Sequence, residues 1–263
     1  MAKKSFGFMT QTEMENCIKA YMCMYEYEYS QPRAYDYARD EFRDYVDGKN
    51  GVTANCVAAK LYAYLATWGM CYVNAGSIRW KNYRVLEPIV DILRNFAVDP
   101  KYKFLRDYDP YVDTTPNKTA YVACVTDIVE RLRQEFDRLS AAANAAWSMV
   151  KADYEAAMNA SGKSVNPPLQ YGKINATDAL IGKILLATLG CTVAYDSHAR
   201  DALKALDVKR GLKQNELEDF YDKVIIGGKS VIVPVANAFA KKYPALNYPI
   251  MKIIDMALWV YGI

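Results

Sequence analysis

Apolar residues recur along this chain at intervals of three and four. From Thr53 the series runs Val57, Leu61, Leu65 and Trp68, followed later by Leu86, Ile89, Val90, Leu93 and Phe96. Tyr121, Val125, Ile128, Leu132, Phe136 and Leu139 form a third series, and Leu217, Phe220, Tyr221 and Val224 a fourth. Ile250, Ile253, Ile254, Ala257, Leu258 and Tyr261 close the chain with a fifth. Such an interval places every member on one helical face, so each stretch predicts a helix with one face turned to a core. Strict alternation is scarce. Val231-Ile232-Val233-Pro234 is the best strand candidate, and its proline argues against a central strand. The expected fold class is all-α, with two packed helical lobes.

The breaks between these stretches are legible. Gly48-Lys49-Asn50-Gly51 reads as a turn, and Asp107-Tyr108-Asp109-Pro110 through Thr115-Pro116-Asn117 as a loop. Ser161 through Pro167-Pro168 is the strongest linker candidate, since Pro-Pro cannot sit inside a helix. Gly227-Gly228 and Tyr243-Pro244 close later helices. The expected division is an N-terminal helical lobe over 1–160 and a C-terminal lobe over 170–263, with one compact domain as the alternative. A length of 263 residues fits either, at roughly 100–200 residues per domain.

A hydrophobic content of 52% is enough for a real core. The net charge of +3 tolerates a nucleic-acid partner without requiring one, because an electrostatic footprint needs clustered Lys and Arg. Tyrosine is the outlier, with 22 against 8 Phe, and its ring and hydroxyl suit cores, interfaces and base-stacking surfaces alike. The six cysteines are scattered with no C-x-x-C pair, and a single His leaves no zinc constellation. Reduced thiols in a cytoplasmic protein are expected. The N-terminal residues lack a signal-peptide run, and no stretch of about 18 apolar residues predicts a membrane span.

Several motifs fail on spacing. Gly228-Lys229-Ser230 and Gly162-Lys163-Ser164 resemble the end of a phosphate-binding loop. The glycine required five residues earlier is replaced by Lys223 and Ala157. One His and many serines define no triad. The acidic groups Glu216, Glu218 and Asp219, and Asp36, Asp40 and Glu41, read as solvated helix faces.

The segment from Leu180 to Leu206 is different. An apolar helical run, Ala179 to Leu189, ends at Gly190, and a short apolar connector follows. Asp196 then opens a second helical run, with the only histidine, His198, two residues on. Aspartate is a favoured N-cap, so Asp196 fits a capping role, and it equally fits a carboxylate fixed for chemistry.

This segment resembles the core of the helix-hairpin-helix DNA glycosylase superfamily. There a Gly-Arg-Lys-Thr-Ala type helix leads through an apolar segment into an Asp-Ser/Thr-His signature. Here Leu180-Ile181-Gly182-Lys183-Ile184-Leu185-Leu186 precedes Val193-Ala194-Tyr195-Asp196-Ser197-His198-Ala199. The match covers about residues 177–203.

The resemblance implies an enzyme that flips a nucleotide out of double-stranded DNA and excises a modified base. Asp196 would be the catalytic residue, stabilising the cationic sugar or activating the nucleophile. Tyr195, Trp68, Trp80 and His198 would bind the substrate, with Trp68 or Trp80 walling the base pocket or wedging the duplex. Lys183, Lys204, Lys209 and Arg210 are the candidate DNA contacts, with Lys81, Arg84 and Lys173 as further phosphate contacts.

Two departures sharpen the expectation. The family's phosphate-binding hairpin uses a Leu-Pro-Gly-Val-Gly type turn, and Ile174-Asn175-Ala176-Thr177-Asp178 lacks those glycines. The lysine nucleophile of lyase members falls at Asp178 on direct spacing, while Lys183 lies inside the next helix. A monofunctional enzyme using water follows, without a Schiff base. No iron–sulfur cysteine cluster is present, so no cofactor and no metal are expected. The breadth of the superfamily leaves room for a hypermodified base of phage DNA, in an antiviral setting. The alternatives are a non-catalytic helical DNA- or protein-binding module on the same scaffold, and a protein-interaction surface marked by the tyrosines.

Overall fold

The computed structural model describes residues 8–27, 30–71, 78, 81–112, 117–162 and 174–263. Among the described residues every regular element is helical and there is no strand, so the all-α class holds. The longer helices are α1 (Gln11–Tyr25), α2 (Ala34–Val46), α3 (Ala54–Thr67), α4 (Glu87–Val98) and α5 (Lys118–Ala160). They are followed by α6 (Asp178–Thr188), α7 (Ser197–Ala205), α8 (Gln214–Phe220), α9 (Lys229–Lys242) and α10 (Ile250–Tyr261). Among the described residues no single helix is long and apolar enough to cross a membrane.

Short polar side chains set the helix starts by accepting from first-turn amides that lack helical partners. Thr10 forms a capping box with Glu13 at α1, and Thr53, Asn117, Thr177 and Asp196 cap α3, α5, α6 and α7. Glycine ends two helices that matter for the site. After α3, Gly69 turns left-handed (φ +82°). Its amide reaches Ala66 O and the Met70 amide reaches Leu65 O, which closes the helix by two reversed bonds. After α6, Gly190 does the same (φ +66°), its amide bonding Leu185 O.

The predicted stripes point inward. Val57, Leu61 and Leu65 of α3, Ile89, Val90 and Leu93 of α4, and Tyr121, Val125, Ile128, Leu132 and Phe136 of α5 are buried in one core. In α6 every residue from Leu180 to Thr188 is buried, and in α10 every residue from Met251 to Leu258. Helices that bury all faces stand at the centre. α6 packs on α2 and α3, and α10 packs on α1 and α7, so helices from both halves of the chain interleave. α5 spans 43 residues, about 65 Å at 1.5 Å per residue, and its last buried residue is Phe136. Beyond Gly162 the linker candidate enters residues 163–173, outside the described residues.

The strand candidate is corrected. Val231-Ile232-Val233-Pro234 lies inside α9. Its buried positions, Ile232, Val235, Ala236 and Phe239, follow the helical interval, which overrides the β-branched composition. Pro234 sits on the solvent side, where water can satisfy the carbonyl its missing N–H leaves free.

Candidate functional site

The connector between α6 and α7 builds the site. Gly190 turns the chain back, residues 191–195 run buried, and Asp196 begins α7. Asp196 Oδ1 accepts the Ala199 amide at 3.0 Å, the N-cap bond. Its other oxygen, Oδ2, accepts from Lys183 Nζ at 2.7 Å. The Lys183 side chain is 2% exposed and that of Asp196 13%. Burial alone would push the Asp196 carboxyl up. The Lys183 charge, its hydrogen bond and the Ala199 amide outweigh burial and hold the carboxyl below its ordinary value. Asp196 is therefore an anion fixed at both oxygens.

Aromatic rings surround this pair. The Lys183 ammonium lies 4.7 Å from the Trp68 ring centre, a cation–π contact. Trp68 meets Trp259 edge to face at 5.6 Å, and Trp259 meets His198 in the same manner at 5.3 Å. Tyr64 closes the other side of Trp68 at 6.5 Å. Trp68, Trp259 and His198 are half-buried, so the group reaches the surface at this end. Among the described residues the buried indole N–H of Trp68 has no acceptor. The Schellman-type end of α3 puts Trp68 here, because Gly69 stops the helix directly behind it.

The segment before Asp196 is held in a strained shape. Tyr195 has φ +49°, a region L-residues rarely occupy, and sustaining it requires support from the surroundings. That support comes from two sides. Asp255 Oδ1 accepts the Ala194 amide at 2.9 Å. Gly182 faces the Val193 and Ala194 carbonyl oxygens so closely that a Cβ would lie 2.8 Å from each.

The predicted site residues separate into groups. Asp196, Trp68 and His198 come together at the α3, α7 and α10 junction. Tyr195 does not join them: it is fully buried, its ring edge-on to Phe220 at 6.1 Å. Trp80 and Lys173 lie outside the described residues. Lys183 is corrected as a DNA contact, because a buried ammonium paired with Asp196 has no path to a phosphate. Lys204 and Lys209 are exposed and Arg210 is half-exposed. Lys204 stands about 12 Å along α7 from Asp196.

Among the described residues before α6, 174–177, there is no phosphate cradle either. Thr177 caps α6, and Asp178 in its first turn pairs with Arg133 at 2.5 Å, placing a negative charge where a phosphate would need amides. Cys191 in the connector is buried, which pushes its thiol up to about 12 and removes it as a nucleophile. Among the described residues no group of three or more His, Cys, Asp or Glu could hold a metal. A cavity of about 320 Å³ between α5 and α8, lined by Lys118, Thr126, Glu130 and Glu218 among others, does not include Asp196.

Sequence reasoning missed Trp259, Tyr64 and Asp255. One signal was present. Lys252 and Asp255 are the only charges in the otherwise apolar run Ile250–Tyr261, and charge three residues apart in a buried helix marks a satisfied polar site. No protein-family model, no curated protein and no solved structure matches this chain.

Proposed function

We propose that this protein is a monofunctional DNA glycosylase-like enzyme, cleaving the N-glycosidic bond of a modified base extruded from duplex DNA. The observation that carries the reading is Asp196, held ionised by buried Lys183 at 2.7 Å beside a wall of Trp68, Trp259 and His198. Cleavage of this bond develops positive charge on the sugar. A preorganised carboxylate stabilises that charge more than it stabilises the neutral ground state. Lys183 keeps the carboxylate anionic and oriented, and the cap bond to Ala199 fixes its rotation. The indole surfaces suit stacking against an extruded base. Water is the nucleophile, and Lys204, Lys209 and Arg210 supply phosphate contacts. The substrate class that fits is a modified base, including a hypermodified base of phage DNA.

The experiment is an abasic-site assay on duplexes carrying uracil, alkylated, oxidised, hydroxymethylated and glucosylated bases. Base release by the wild type, lost in Asp196→Asn, supports the reading. Release that persists in Asp196→Asn removes Asp196 from the chemistry.

A second reading is favoured by one observation: both Asp196 oxygens already have partners, as in a purely structural cap. On that reading the chain is a non-catalytic helical module that binds DNA or protein. DNA binding without abasic sites on any substrate selects it.

A further inference from the structure

α10 contains a second buried lysine–aspartate pair, and it reaches toward the first. Lys252 Nζ lies 3.3 Å from Asp255 Oδ2, with side chains 2% and 9% exposed. Lys252 also donates to Tyr21 Oη at 3.0 Å and stands over the rings of Tyr21 and Tyr35, at 4.8 and 4.6 Å. A buried pair is a weak source of stability, because desolvation offsets its attraction. Its placement therefore matters more than its strength. The oxygen of Asp255 not facing Lys252 accepts the Ala194 amide.

α10 grips the chain on both sides of Asp196. Before it, Asp255 holds Ala194. After it, Trp259 packs on His198, and Gly262 sits so tightly against the His198 carbonyl that a Cβ would lie 1.9 Å from its oxygen. α6 holds the same segment from the opposite side, with Gly182 against the 193 and 194 carbonyls and Lys183 on Asp196 itself. Only Tyr195 separates Ala194 from Asp196, and its left-handed backbone turns the chain sharply there. A displacement of Ala194 is thus delivered to the carboxylate within two residues.

We propose that Asp255 is the positioning residue for Asp196, setting the Asp196 carboxylate against Lys183 through the Ala194 amide, with Lys252 holding the other oxygen of Asp255. Its catalytic consequence rests on the reading of Asp196 as the acting carboxylate. Its geometric consequence does not.

The test compares Asp255→Ala, which removes the acceptor, with Asp255→Asn in a Lys252→Met background, which keeps a carbonyl acceptor and leaves no unpaired buried charge. On any DNA from which the wild type releases a base, Asp255→Ala lowers kcat by about tenfold to a hundredfold with KM unchanged, the scale of a misplaced group. The Asn/Met protein recovers most of that loss. Independently of activity, the Asp196 carboxyl is titrated by carbon NMR, with Lys183 from α6, His198 from α7 and Tyr64 from α3 as its charged or titratable neighbours. Asp255→Ala moves its pKa up toward the ordinary carboxylate value, and the Asn/Met protein does not. A folded Asp255→Ala with unchanged Asp196 titration overturns the proposal, as does an Asn/Met protein as impaired as Asp255→Ala. If the wild type releases no base, the functional reading fails and the titration alone decides the positioning role. If Asp255→Ala does not fold, amide exchange in the wild type decides. An Ala194 amide protected to the level of the surrounding core supports the proposal, and one exchanging as fast as an exposed loop overturns it.

Discussion

The Lys183 ammonium and the Asp196 carboxylate lie 2.7 Å apart across 13 residues of sequence, and both side chains are almost wholly buried. Each depends on the other. Removing one leaves a charge in a site that burial makes hostile to it. In Lys183→Met the cation–π contact to Trp68 goes as well. We expect Lys183→Met to cost about 3–5 kcal/mol, the range for breaking a buried pair, read from urea unfolding. Its Asp196 carboxyl should titrate above the wild-type position, since burial is then opposed without the Lys183 charge and its hydrogen bond. A loss below about 1 kcal/mol, the range of an exposed surface pair, would mean that the pair is solvated.

The sign of the acid response follows from the same contact. The Asp196 carboxyl sits below its ordinary value in the folded protein, so its contribution is complete above about pH 4, the unfolded carboxylate range. It is lost as pH falls through the depressed folded value. Unfolding followed between pH 6 and pH 2 should therefore be steeper for the wild type than for Asp196→Asn. Parallel profiles would contradict the depressed ionisation.

Gly182 carries a prediction opposite to its local propensity. In a helix interior, Gly→Ala ordinarily stabilises by up to about 1 kcal/mol. Here the added Cβ meets the backbone oxygens of residues 193 and 194 at 2.8 Å, which cannot swing aside as a side chain would. Gly182→Ala should destabilise by about 1–3 kcal/mol, the scale of an overpacked core. A stabilised variant in chemical unfolding would show that the connector has room.

On the proposed function, DNA binding would separate the surface cations from the buried one. Neutralising Lys204, Lys209 and Arg210 should weaken binding and flatten its salt dependence by about 0.9 in log–log slope for each phosphate left without its cation. Lys183→Met should leave that slope unchanged, because its ammonium is enclosed. An equal effect of Lys183→Met on the slope would place it at the DNA surface.

Local pattern carried much of this fold. The stripes of α3, α4 and α5 follow from their intervals, and the end of α6 at Gly190 and the Asp196 cap follow from residue types a turn apart. The inward turn of Lys183 did not follow. A lysine in a helix is read as solvated unless its partner is known, and here the partner is 13 residues away beyond a turn. The role of α10 is also non-local: Trp259 reaches His198, and Asp255 reaches Ala194 across 61 residues. Tyr195 reads as a pocket residue beside Asp196, yet its left-handed backbone sends the ring into the core. In α9 the β-branched run hid a helical interval that only burial made plain.

The central claim is that Asp196 is an acting carboxylate as well as a cap, and an abasic-site assay comparing wild type with Asp196→Asn tests it most directly. Asparagine keeps the cap acceptor for the Ala199 amide and removes the charge. The account predicts base release from at least one modified duplex by the wild type, reduced by at least about a hundredfold in Asp196→Asn, the scale of losing one electrostatic stabiliser. A folded Asp196→Asn that releases the base at the wild-type rate would contradict it.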